Sequence, residues 1–489
     1  MNVLSLGLSG ILSAFPNQAT ENSKGILLSE FEAVLGTSLD LKVSANNYAN
    51  AQLAEQKIIA ELTRLQQILG SFQKSNEFAQ WKNTYQQKIE VSNELIEIAK
   101  EFDFWKEQTQ GAINPASEEF TQLWKKASEE GIQPSQAELD HLIEKVKENH
   151  WEIEGNTLTK TSDADLKLHT FTKLYVAEKV ANVAMESEGV EGVVVNIGGD
   201  IVVKGDIQEK IKVADPTAPY ENAAPISVVE INNKTIASSG NYRRGVELNG
   251  KHLSHIIDPK TGLPADQIAS ATVIHENAVT AGALATAFNI LPISESIQLA
   301  KTANNADYLI VDKEGNEFQS ENWPAIAKEE HSAISFVQLK EKLWNPKMEC
   351  SIDLEIADLG GYARRPYVAI WIEDENNNPV RRIALWYRKP RWLVDLRYWS
   401  AGSRNTDFNV SPITGATRGA GKYSLVWDGK DDAGQYVNQG NYTVVIEAAR
   451  EHGSYQLMKQ SLKFDEKAKA ASFTGNEEIS AARLNFTSK

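Results

Sequence analysis

Residues 278–286 read Ala-Val-Thr-Ala-Gly-Ala-Leu-Ala-Thr, and no other stretch constrains this chain as much. Gly282 and Thr286 lie four residues apart, one helical turn, so the two positions share one face of a helix. Side-chain oxygens at both positions would give one cation two ligands, but only Thr286 carries one. Mg²⁺ demands near-octahedral oxygen ligation and tolerates partial capture poorly. The segment is therefore a small-residue helix that carries a side-chain oxygen at Thr286 and none one turn before it.

The rest of the chain sets the frame for that observation. Its 489 residues exceed the usual limit of a single core, so two or three domains are expected. Hydrophobic content of 42% with 24% charged residues marks it as globular. A formal net charge of -16 argues against nucleic acid, since a phosphate backbone calls for a basic surface. There is no basic run suited to an anionic membrane. No stretch reaches the roughly 18 apolar residues of a membrane span. One cysteine, Cys350, excludes an internal disulfide and a cysteine-rich metal site. The apolar start, Val3 to Phe15, lacks the basic region of a secretory signal, and residues 1–28 read as a tail or signal remnant.

Beyond this tail, hydrophobic periodicity divides the chain. Phe31 to Val43 alternates like a strand, and helical spacing runs over Asn46 to Phe72, Ser92 to Gln108, Ser117 to Lys147 and Leu168 to Glu188. Strands then read at Gly192 to Val195, Ile201 to Lys204, Ile226 to Ile231, Lys234 to Ala237 and Ser270 to Ile274. Helices mixed with paired strands in this order predict an α+β layer fold with a mostly antiparallel sheet, over residues 29–328. A charged stretch at Lys328 to His331 separates it from short strands with turn signals, which predict an all-β immunoglobulin-like sandwich over 333–466. Residues 467–489 read as a polar, frayed tail.

Three segments before the small-residue helix carry possible chemistry. Val193-Val-Val-Asn-Ile-Gly-Gly-Asp-Ile201 places Asn196, Gly198, Gly199 and Asp200 after a strand, where glycines admit positive φ and close approach of a ligand. Its plainer meaning is a tight turn. Ala237-Ser-Ser-Gly-Asn-Tyr-Arg-Arg244 offers Ser239, Gly240 and the forked guanidinium groups of Arg243 and Arg244, suited to a pyrophosphate or else to a solvated hairpin. Ser254-His-Ile-Ile-Asp-Pro-Lys-Thr-Gly-Leu-Pro264 contains His255, able to deprotonate an attacking hydroxyl or to serve as a strand-end hydrogen-bonding residue.

Taken in order, these four segments resemble the ApbE-type flavin transferases, over about Phe31 to Trp323. The resemblance implies binding of FAD, cleavage of its pyrophosphate with Mg²⁺, and attachment of FMN through its phosphate to a threonine of a target flavoprotein. It implies His255 and Thr286 as catalytic residues. Flavin contacts would fall on Leu35, Phe72, Ala112, Ile113, Asn114, Lys173 and Ile257, alongside Asn196, Gly198, Gly199, Ser239, Gly240, Arg243 and Asp258. The metal would be held by the Thr170 backbone oxygen, the Gly282 position and Thr286. It also implies a site of action in the periplasm or at the cell surface.

The sequence departs from the family pattern at several of these positions. Gly282 stands for an aspartate, Leu35 for a common methionine, Asn114 for an aspartate, Lys167 for a frequent aspartate and Leu174 for a small residue. Lys167 could neutralise phosphate in place of a metal. In the C-terminal half, Thr414-Gly-Ala-Thr417 resembles the acceptor motif on which such transferases place FMN, making Thr417 a candidate covalent site, though an ordinary loop entering the strand at Tyr423 is the plainer reading. Two functions remain open: a FAD:protein FMN transferase impaired at Gly282, or a catalytically degenerate flavin-binding or scaffold protein working through its sandwich, with Trp386, Trp392 and Trp399 as docking aromatics, although their size favours a place in the core.

Overall fold

A computed structural model describes residues 25–70, 75–218, 220, 222–241, 244–303, 306–327, 342–357, 366–387, 395–403, 414–416, 420–450, 453–475 and 477–489. Phe72, Arg243, Trp392, Thr417 and most of the N-terminal 1–28 segment lie outside these residues.

Eight strands form one sheet in the N-terminal unit, in the order Gly25–Val34, Thr37–Ala45, Val190–Ile197, Asp200–Gly205, Thr235–Gly240, Ile268–His275, Asp307–Asp312 and Glu317–Gln319. Every neighbouring pair is antiparallel. The helices Tyr48–Leu69, His169–Met185 and Ala278–Ala287 share one continuous apolar core with this sheet. A second core, with Val203, Ile236 and Trp323, includes residues of the hairpin Glu209–Val213 and Ser227–Ile231. Helices on an antiparallel sheet followed by an all-β unit are the α+β arrangement that the periodicity predicts.

Local chemistry explains where the elements break. The expected single strand 31–43 folds instead as a hairpin, because Leu35 (φ 47°) and Gly36 (φ 80°) make a left-handed two-residue turn. The expected helix 117–147 is two helices, Glu118–Glu130 and Gln136–Lys147. Gly131 ends the first in the left-handed conformation, and Ser135 with Glu138 forms a capping box that starts the second.

The C-terminal unit packs two sheets. One has the order Gly421–Trp427, Met348–Ile356, Ile479–Ser488 and Lys469–Phe473; the other Thr414–Ala416, Pro379–Tyr387, Tyr367–Glu373, Gly440–Ala449 and Tyr455–Phe464. Trp344, Trp427, Phe464 and Phe486 meet in their shared core. Residues 467–489 are therefore not a frayed tail. Ile479–Ser488 pairs along the length of Met348–Ile356, and its alternate residues Ala482, Leu484 and Phe486 are buried. Polar partners at the intervening positions disguise that alternation in the composition. Trp386 and Trp399 are buried in the sandwich, the core placement that their size favours over docking.

Candidate functional site

The Gly198–Gly199 turn sits between the strands ending at Ile197 and starting at Asp200. Both glycines have positive φ, 63° and 96°. A β-carbon on Gly198 would fall 2.6 Å from the Thr37 hydroxyl, whereas one on Gly199 would meet nothing within 4 Å. The turn thus packs on the Leu35–Thr37 hairpin from below and leaves its outer side open. Asn196 fixes the turn: its Oδ1 accepts from the Gly199 amide (2.9 Å) while its Nδ2 donates to Asp40 (2.9 Å).

Charge gathers at the open side. Lys173, from the helix His169–Met185, lies 3.6 Å from the Asp200 carboxylate. Burial pushes the Asp200 carboxyl above the usual carboxylate range, opposed by the positive charges of Lys173 and Arg244. The fields of Arg244 and Lys173 also reach His255. The turn and the helix meet here, though they are distant in sequence.

His255 receives its orientation from a single carbonyl. Its backbone amide and its ring Nδ1 both lie 3.2 Å from the Arg244 oxygen. A carbonyl only accepts, so Nδ1 carries the proton and Nε2 is left as the basic nitrogen. Desolvation holds its pKa below the usual histidine range, helped by the positive charges of Arg244, His252 and Lys173. The ring is neutral near pH 7 in consequence.

The other expected contacts divide between scaffold and surface. Asp258 is a turn residue: Oδ1 accepts from the Lys260 amide (2.9 Å) and Oδ2 from the Thr261 hydroxyl (3.1 Å), and Ile257 beside it is buried. Ser239 and Gly240 end the strand paired with Ile268–His275, and Asn289 donates to the Ser239 carbonyl (3.2 Å). Ala112, Ile113 and Asn114 are buried. Asn114 donates to the Val146 carbonyl (2.9 Å) and accepts from the Ala116 amide (2.9 Å), tying its loop to the end of helix Gln136–Lys147. A cleft of about 530 Å³ adjoins this loop, lined among others by Asp103, Lys106, Asn114, Trp151, Pro259 and Lys260. Lys173, Asp200, Arg244 and His255 do not line it. Thr37, Asn289 and the Lys173–Asp200 pair escape a sequence reading, because each acts through a partner far along the chain.

The Gly282 position is closed. Helix Ala278–Ala287 starts at the Asn277 cap, whose side chain accepts from the Thr280 amide (2.8 Å), and its small residues let it press against helix His169–Met185. A β-carbon on Gly282 would lie 2.7 Å from Leu174 Cδ1 and 3.3 Å from Phe171 Cβ. Leu174 and Phe171 are each only 1% exposed. The end of Leu174 and the Phe171 β-carbon therefore crowd this position, and a side chain there requires Leu174 to move. Thr286 and Thr170 are both half-buried. Among the described residues no three His, Cys, Asp or Glu side chains come together to hold a metal ion. The Mg²⁺ site implied by resemblance does not fit these residues.

Comparison with known proteins agrees with the fold. The chain is 27% identical over 295 residues to the FAD:protein FMN transferase of Vibrio cholerae, covering 58% of this chain and 87% of that protein. It is 36% identical over 163 residues to the FAD:protein FMN transferase of Escherichia coli K12, covering 32% of this chain and 45% of that relative. An ApbE protein structure from Thermotoga maritima superposes with a TM-score of 0.55 at 23% identity, over 63% of this chain and all of that one. The Vibrio cholerae flavin transferase ApbE gives 0.52 at 23%, over 62% of this chain and all of that one. The sandwich matches a family described as "Predicted periplasmic protein (DUF2271)" over residues 348–481. No helix among the described residues is long and apolar enough to cross a membrane. Residues 35–310, more than half of the chain, match the profile of the ApbE family, and the chain belongs to that family.

Proposed function

We propose that this chain binds FAD with its diphosphate over the Gly198–Asp200 turn, and that His255 assists transfer of FMN to a threonine of a target flavoprotein. The observation that carries the reading is the Lys173 ammonium 3.6 Å from the Asp200 carboxylate at the end of that turn. The outer side of the turn is open at Gly199, and Lys173 and Arg244 supply the charge to hold an anion there. The Leu35 hairpin, Ala112–Asn114 and Ile257 shape the surroundings of the nucleotide, and the unit involved spans 29–328. The names of the similar proteins from Vibrio cholerae and Escherichia coli support the same substrate and product.

In the transfer step the threonine oxygen attacks the FMN phosphorus and its proton passes to Nε2 of His255. The bond from that phosphorus to the bridging oxygen breaks, and AMP leaves. Lys173 and Arg244 orient the diphosphate and offset its charge. No step is routed through a cation, because the Gly282 position is filled. A Thr-Gly-Ala-Thr-like sequence on the target is the acceptor in this reading, and Thr417 is a candidate within the chain. Action in the periplasm or at the cell surface accords with the family matched by the sandwich.

The packing at Gly282 favours a second reading, in which the chain holds FAD without turning it over. Incubation with FAD and a Thr-Gly-Ala-Thr peptide separates the two. Released AMP and acid-stable flavin on the peptide support transfer, with loss of both in His255→Ala. Bound FAD without AMP leaves the binding reading alone. No bound FAD sinks both.

A further inference from the structure

We infer that this chain engages FAD without a divalent cation, its diphosphate charge being met by Lys173 and Arg244 while Leu174 and Phe171 seal the position a cation ligand would occupy. The inference rests on the FAD-binding reading and concerns how the charge of the bound nucleotide is balanced.

Three observations carry it. First, the seal is interior packing and not a loose flap: Leu174 and Phe171 belong to the apolar core, and Gly282 is in contact with both. A cation brought there would exchange its water shell for hydrocarbon, an exchange that strongly disfavours an ion. Second, acidic side chains near the site are engaged elsewhere. Asp200 faces Lys173, and Asp258 serves amides and a hydroxyl of its own turn. Third, the helix that supplies the seal also supplies the charge. Lys173 and Leu174 are adjacent, so about 100° of helical rotation separates an ammonium directed to the Asp200 side from a hydrocarbon directed to Gly282.

A fixed ammonium and a cation differ in a way that an equilibrium experiment reads. A cation linked to nucleotide binding makes affinity rise with its concentration, whereas side-chain charge gives no such dependence. The test titrates FAD into the full chain by calorimetry, in millimolar Mg²⁺ and again in EDTA. Equal dissociation constants, within about twofold, are expected. Lys173→Met is expected to weaken binding about tenfold in both buffers, the size of one charge-assisted hydrogen bond. Binding that strengthens roughly tenfold or more with Mg²⁺ would overturn the inference while leaving the FAD-binding reading intact. Unchanged affinity in Lys173→Met, with circular dichroism confirming the fold, would also overturn it. Absence of FAD binding in either buffer would remove the reading on which it rests.

Discussion

Lys173 and Leu174 are neighbours on one helix, and they define two opposite environments. On the Lys173 side the helix meets Asp200 and a turn with positive φ. On the Leu174 side it meets Gly282 through hydrocarbon, with no solvent and no carboxylate. The first region keeps groups that hold and attack a phosphate. The second has become ordinary core. Helix packing allows such a split because adjacent residues project in different directions, so one face can change from ligand shelf to interior without disturbing the other. A fold shared with flavin transferases therefore does not by itself guarantee their cation chemistry.

The contrast is most severely tested at Gly282. Gly282→Asp places a charge against Leu174 and Phe171 and is expected to destabilise the N-terminal unit by about 3–5 kcal/mol, measured by urea unfolding. Combining it with Leu174→Ala should give less destabilisation than the sum of the single changes, because the smaller residue makes room for the carboxylate. Strict additivity would mean that the two positions are not in the contact described.

A second prediction concerns the polar scaffold on the Asn114 side. His150 is 4% exposed, and its pKa is depressed to about 4, chiefly by burial. Its Nε2 donates to the Val146 carbonyl (3.2 Å), the same oxygen that Asn114 bonds, and Nδ1 accepts from Ser162 (2.8 Å). The unfolded chain takes up a proton near pH 6.5, which the folded ring refuses until about pH 4. Stability should be flat above pH 6.5 and fall by up to about 3 kcal/mol between there and pH 4. His150→Gln should remove most of that slope in pH-dependent melting.

The smaller effects lie on the Lys173 side and act on ligand, not on folding. Lys173→Met should shift unfolding by less than about 0.5 kcal/mol, as partly exposed ion pairs do, while weakening FAD about tenfold. Arg244 is exposed, so Arg244→Met should weaken FAD only about threefold, with the difference vanishing in high salt. A larger loss of stability than of affinity at either position would make them structural and erase the contrast.

The sequence by itself determined the class of fold and the order of the four segments, because strand and helix periods, glycine turns and caps are local properties. Even its errors were local: Leu35–Gly36 and Gly131 break elements whose apolar pattern runs on, and the strand Ile479–Ser488 hides alternate apolar residues among polar ones. It also exposed the missing side chain at Gly282. Tertiary structure alone decided what fills that gap. Leu174 and Gly282 are 108 positions apart, and only the packing of two helices brings them together. The tautomer of His255 likewise depends on the Arg244 carbonyl, and the environment of Asp200 on Lys173. Local propensity carries no information about such contacts; they arise when the antiparallel sheet and its covering helices close around a common core.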